Sequence, residues 1–394
     1  MKKYKFSFST GSLPVFLLVV MLAGCSPPEA TYVPLTETEV LMFSDSLREA
    51  VQTYDGNFFI RHQDNTRMLQ RTSELTGMEG EDLEKADEVM EYFSLPEGIL
   101  LGRPSEGTHW SYVEINRVRE RDGKLLVQLR VHDEEFTFDY LEFLVERRRY
   151  KTVESLVISD YYSYNSGQWV SEGIGEMAAF LQYTKEDSLG QAEYGRAKDQ
   201  IASDYQRGNF ALGEKGFAAL PPEEQKDRLL NRVRLQVASE QGDSTYRSVL
   251  AEYEAMYPGD MSIFGLQVEY AYGKKDYNAI LERIRHYESL LGGGDAYTYW
   301  MQGDVMVYME QPDSAFHYLD KSIDLEPQFD PPLISRFYLQ LDLKDYAGAI
   351  ETFKNLEGLG YKLDNLDLKE YPDFLNSEAF ANWAEGSAPL SFRE

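Results

Sequence analysis

Apolar positions follow two different periods in the first half of the chain. From Glu37 to about Asp55, Val40, Leu41, Phe43, Leu47, Ala50 and Val51 recur at helical spacing, and further helices are predicted over 66–75 and 82–93. Beyond Pro96 the period drops to two. Val113 and Ile115, then Leu125, Val127, Leu129 and Val131, then Phe136, Phe138, Phe143 and Val145, then Val153, Ser155 and Val157 alternate as half-buried strands do. Asp122-Gly123 separates two of these runs, and glycine tolerates the positive φ of a tight hairpin turn. A helix over 171–183 follows, so helices on a four-stranded antiparallel meander predict an α+β domain over about 37–185.

The second half carries a longer period. Counting Ala296 as position 1, Tyr299 stands at position 4, Gly303 at 8, Ala315 at 20, Leu319 at 24, Ser322 at 27 and Pro327 at 32. Further periods begin at Tyr194, Asp227, Met261 and Asp330, which makes five of 33 to 35 residues over about 194–362. This spacing resembles the tetratricopeptide repeat, and the resemblance implies an all-α solenoid of antiparallel helix pairs that docks other proteins. Small residues at 8, 20 and 27 let two helices approach, while larger ones at 4 and 24 fill the space between pairs. Tyr371, Phe374, Leu375, Phe380 and Trp383 then predict a capping helix within 363–394.

By the same resemblance, positions 2, 5, 9, 12 and 13 of each first helix face the concave groove. They give Tyr205, Glu269, Tyr272, Tyr297, Trp300, Asp304, Tyr308 and Tyr338 as candidate partner contacts. Tyrosine and tryptophan offer large contact area with few rotors to freeze, and about half of this set is expected to be exposed.

The start of the chain changes the picture of where this happens. Lys2, Lys3 and Lys5, the apolar run 15–23 and Leu22-Ala23-Gly24-Cys25 resemble a bacterial lipoprotein signal peptide (1–24) with its lipobox. The resemblance implies acylation of Cys25, the only cysteine, and an anchored protein of the cell envelope. Ser26 after the cysteine favours, by analogy with lipoprotein sorting, a periplasm-facing place on the outer membrane. Residues 25–36, with Pro27, Pro28 and Pro34, then read as an extended tether.

A formal charge of −28 repels phosphate backbones, so nucleic acid is not an expected ligand and a basic partner is electrostatically preferred. His62, His109, His132, His286 and His317 are scattered without metal-ligand spacing, and no metal or other cofactor is expected. Gly173, Gly175 and Ala178 fit G-x-G-x-x-A formally, but no βαβ unit surrounds them. Asp160, with Tyr161, Tyr162 and Tyr164, could serve proton-transfer chemistry at the mouth of a curved-sheet pocket; aromatic packing is the favoured reading, and no enzyme is expected. Arg147, Arg148 and Arg149 read as a solvated turn between strands, with contact to acidic lipid headgroups as the alternative.

Element order in the α+β domain is similar to that of cystatin-like and nuclear transport factor-like folds, in which a curved sheet wraps a helix. The anchor and aromatic content are also similar to those of starch-utilisation type lipoproteins, which implies glycan or small-ligand capture as the alternative. The chain departs from these in its separate sheet domain and its nearly regular helix pairs.

Overall fold

A computed structural model describes residues 30–53, 55–93, 112–121, 123–132, 138–186, 190–222 and 224–386. The signal segment, Cys25, Phe136, His109 and Asp122 lie outside the described residues. The chain divides into two compact units between Gln191 and Ala192.

The first unit opens with strand β1 (Thr31–Val33), followed by helices α1 (Glu37–Thr53), α2 (Gly56–His62), α3 (Asn65–Thr76) and α4 (Glu81–Phe93). A meander comes next: β2 (Tyr112–Arg121), β3 (Lys124–His132), β4 (Phe138–Tyr150) and β5 (Val153–Ser163). Short β6 (Gln168–Trp169) and helix α5 (Val170–Glu186) close it. All strand pairs are antiparallel, in the order β2-β3-β4-β5-β6, with β1 on β4. Register shifts between Ile115 and Arg117 and between Leu144 and Val145 bend the sheet, as inserted residues in a ladder do. Gly123, at φ 73°, turns β2 into β3.

Odd-numbered residues of β3 and β4 (Val127, Leu129, Val131, Leu141, Phe143, Val145) pack on Val40, Phe43, Leu47 and Val51 of α1 and on Phe58 and Phe59 of α2. The other face buries polar side chains instead. Glu142, with no exposed surface, holds Arg119 at 3.0 Å, Gln128 at 3.0 Å and the Tyr164 hydroxyl at 2.8 Å. A second core joins Met68 of α3, Val89 and Met90 of α4 and Ile174 and Ala178 of α5.

Three expectations are corrected here. The stretch read wholly as tether contains β1, whose Thr31, Tyr32 and Val33 pair with Arg149, Arg148 and Arg147. The arginine triplet is therefore strand rather than turn: Arg147 is ion-paired with Glu39, Arg148 with Asp64 and Arg149 with Glu154. The helix α2 also escaped the reading, because seven residues carry too few turns for periodicity to register.

The second unit is helical: α6 (Gly190–Gln206), α7 (Phe210–Ala219), α8 (Arg228–Gln241), α9 (Asp243–Met256), α10 (Phe264–Gly273), α11 (Tyr277–Leu291), α12 (Ala296–Tyr308), α13 (Pro312–Leu325), α14 (Pro331–Asp342) and α15 (Tyr346–Gly358). From α8 onward, each pair joined by a short turn packs together, and α11 to α14 also pack successively.

The turn itself recurs. Gly208, Lys275, Glu310 and Lys344 take positive φ (77°, 56°, 55° and 59°) just past α6, α10, α12 and α14. In each, the following amide closes a bond five residues back: Asn209 to Asp204, Asp276 to Ala271, Gln311 to Met306 and Asp345 to Gln340. This is the Schellman arrangement, which satisfies carbonyls that a helix end leaves without partners. Asp276 and Asp345 then cap α11 and α15 through the amides of Ala279 and Gly348.

Small residues stand where helices cross. A Cβ on Gly303 would meet Leu319 Cδ2 at 2.7 Å, and Ser322 Oγ donates to the Ala296 carbonyl at 2.6 Å. Gly175 of the formal glycine motif faces Thr76, whose Cγ2 a Cβ would meet at 2.6 Å, so it serves helix packing. The predicted single capping helix is instead two, α16 (Pro372–Leu375) and α17 (Glu378–Gly386). Ser377 interrupts them by accepting from the Phe380 amide, and Leu375 is left exposed while Phe374 and Trp383 are buried on Phe337 and Phe353.

Candidate functional site

Tyr297, Trp300, Asp304 and Tyr308 follow one another at intervals of three and four on α12, so helical geometry stacks them on one face. The Trp300 indole Nε1 donates to Ser335 Oγ of α14 at 3.0 Å, and Ser335 is also hydrogen-bonded with the Asp304 carboxylate. Phe329 packs edge-on against Trp300, with ring centroids 5.9 Å apart. On the other side Tyr308 meets Tyr272 of α10 edge-on at 5.6 Å and lies almost parallel to Tyr277 of α11 at 5.8 Å. First helices of three successive pairs thus converge on Asp304 and its aromatic neighbours.

Asp304 is the unusual member. Burial pushes its carboxyl up to about 6, against which the Ser335 hydrogen bond works. No cationic side chain among the described residues pairs with it. Burial, with a contribution from the Asp304 charge, also raises the Tyr272 phenol. Tyr308 remains 59 % exposed, and Tyr272, Tyr277 and Trp300 are half-buried. The arrangement offers a cation a half-buried acid with aromatic faces beside it, the two features that bind ammonium and guanidinium groups.

The other predicted residues divide. Tyr297 is buried against Trp300 and Phe329, so it supports the face without lining it. Glu269 is exposed on α10, three residues before Tyr272. Tyr205 does not belong: it has no exposed surface, and its hydroxyl donates to Glu214, which is clamped by Arg234. Tyr338 is also taken, because its hydroxyl accepts from the Asp367 amide at 2.9 Å and its ring packs on Tyr371. Sequence reasoning missed Tyr277 and Ser335. Both fall outside the positions that the repeat resemblance assigns to a groove, and only the packing of α11 and α14 beside α12 brings them in.

In the first unit, Asp160 and its tyrosines lie inside rather than at a pocket mouth. Asp160, without exposed surface, takes Arg71 Nε at 2.7 Å, Ser171 Oγ at 2.5 Å and the Tyr161 amide at 2.9 Å. Burial still pushes its carboxyl up, against the Arg71 charge. Tyr161, Tyr162 and Tyr164 are buried too, so the group is a filled polar core rather than an open acid.

Elsewhere in this unit a cleft of about 560 Å³ is lined by Met42, Phe43, Phe58, Arg61, His62 and Leu156 among others. His62 within it is committed through Nδ1 to the Leu156 carbonyl at 2.9 Å and stacks on Phe58. Among the described residues no cluster of three or more His, Cys, Asp or Glu could hold a metal ion, and no helix is long and apolar enough to cross a membrane. Comparison with protein families, curated proteins and solved structures finds no match to the chain.

Proposed function

We infer that the chain is a lipid-anchored tetratricopeptide-type scaffold of the bacterial cell envelope, facing the periplasm from the outer membrane, that grips a basic segment of a partner protein. One observation carries the binding role: Asp304 is half-buried beside Trp300, Tyr272 and Tyr308, and no cation among the described residues pairs with it. An unpaired acid in such a place is costly, and a Lys or Arg side chain of a partner would offset that cost.

The solenoid reading draws support from the helix-end turn that recurs at Gly208, Lys275, Glu310 and Lys344, and from Gly303 and Ser322 at the crossings of α12 and α13. The anchor reading rests on the lipobox ending at Cys25. The cystatin-like unit acts in this reading as spacer or second docking module.

The test is capture of the partner by the acylated full chain in its own cells, with Trp300→Ala and Tyr308→Ala combined. Loss of at least tenfold of the captured protein, with helix content unchanged, is the expected result. Undiminished capture removes this face from consideration, and glycan binding that survives Asp304→Asn would put sugar capture in its place.

A further inference from the structure

The register of β1 says where the chain upstream of it leaves the first unit. β1 runs antiparallel to β4 with Thr31 opposite Arg149, so β1 begins beside the β4–β5 hairpin tip rather than at the opposite end of the sheet. Six residue steps separate Cys25 from Thr31, and a fully extended chain covers at most about 22 Å over that distance. An acyl group on Cys25 therefore keeps Thr31, beside this tip, within about 22 Å of the bilayer surface.

The tip's own chemistry suits that neighbour. Tyr150 pairs with Val153 across a two-residue loop, Lys151-Thr152, and all four are exposed, Val153 to 64 %. The Lys151 ammonium sits 5.1 Å from the Tyr150 ring centroid and has no carboxylate partner among the described residues. The arginines behind it are already occupied by Glu39, Asp64 and Glu154. An exposed cation, an aromatic ring with a polar end and a β-branched apolar side chain are what the headgroup zone of a phospholipid bilayer accommodates. Of the four cations in residues 147–153, Lys151 is the one without a carboxylate partner among the described residues.

The geometry points to the β4–β5 hairpin tip as a bilayer contact: Tyr150, Lys151 and Val153 seat among phospholipid headgroups of the membrane that holds the anchor. The inference rests on the lipid attachment at Cys25 proposed above. Seating fixes the first unit's orientation on the membrane, which the acyl attachment alone would leave free.

The test places a fluorophore on Val153→Cys in the acylated full chain. Cys25 is the only native cysteine and is consumed by its thioether, so the introduced thiol is the only one free. Asn165→Cys, exposed beyond the opposite end of β5 and about 35 Å along the strand, is the reference. In vesicles of three parts phosphatidylethanolamine to one part phosphatidylglycerol with nitroxide headgroups, quenching at position 153 is expected to exceed that at 165 at least twofold. Equal, weak quenching at both positions on acylated protein that floats with the vesicles overturns the seating and leaves the anchor standing. A mature chain without acyl mass, or a Cys25→Ser chain that still floats, overturns the attachment and the seating with it.

Discussion

Replacing Asp304 by Asn separates a binding acid from a structural one, because it should stabilise the fold while weakening capture. The folded carboxyl titrates at about 6 against an ordinary 3.8, raised by burial. The native state therefore holds more protons than the unfolded one between those values, and stability falls as pH rises from about 4 to about 6. Above that window the destabilisation is constant; below it both states are protonated and the effect vanishes.

Raising the carboxyl from 3.8 to about 6 sets a ceiling of about 3 kcal/mol on the cost of its charge, and residual solvent contact reduces the expected gain for the neutral amide to about 1–2 kcal/mol at pH 8. Urea unfolding followed by circular dichroism at pH 8, 6 and 4 measures it, fitted with one transition per unit because the chain has two compact units. The gain should shrink to nothing at pH 4. A variant less stable at pH 8, or a gain that persists unchanged at pH 4, would refute the account of Asp304 as a half-buried acid with no paired cation among the described residues. Binding should move oppositely: loss of a charge-assisted contact costs about 1.5–3 kcal/mol, or tenfold to a hundredfold in affinity.

Gly303→Ala should cost about 1–3 kcal/mol despite alanine's better helix propensity, because its Cβ would meet Leu319 Cδ2 at 2.7 Å where α12 crosses α13; a thermal melt with no loss would sink the close-crossing argument. Arg71→Met should destabilise the first unit by about 3–5 kcal/mol, since it strands the buried Asp160 charge, and adding Asp160→Asn should restore most of that in a double-mutant cycle.

Local periodicity made most elements legible. The meander could be read because alternate residues of β3 and β4 face the α1–α2 core, and the helix pairs because Gly303, Ala315 and Ser322 must be small. What periodicity could not supply is which partner a polar residue finds. Arg147, Arg148 and Arg149 look like a turn in the sequence, yet Glu39, Asp64 and Glu154 come from three different elements to meet them within a strand. Tyr205 and Tyr308 carry the same side chain at neighbouring groove positions, but one hydrogen-bonds Glu214 inside the fold while the other is exposed. Burial of a tyrosine is decided by what the next helix brings.

That distinction bears on how the helical unit is finished. Phe374 and Trp383 cover Phe337 and Phe353, and the same segment takes Tyr338 through the Asp367 amide and Tyr371. The segment from Asp367 to Trp383 therefore does two things at once, closing the last apolar face and occupying Tyr338. The rings around Asp304 sit on and beside α12, between the pair α10–α11 and the pair α14–α15, where neighbours on both sides hold them in place. The last helix pair has a neighbouring pair on one side and uses its rings for the cap, whereas α12 lies between two pairs and can leave Tyr308 to solvent while α10, α11 and α14 hold the rings beside it.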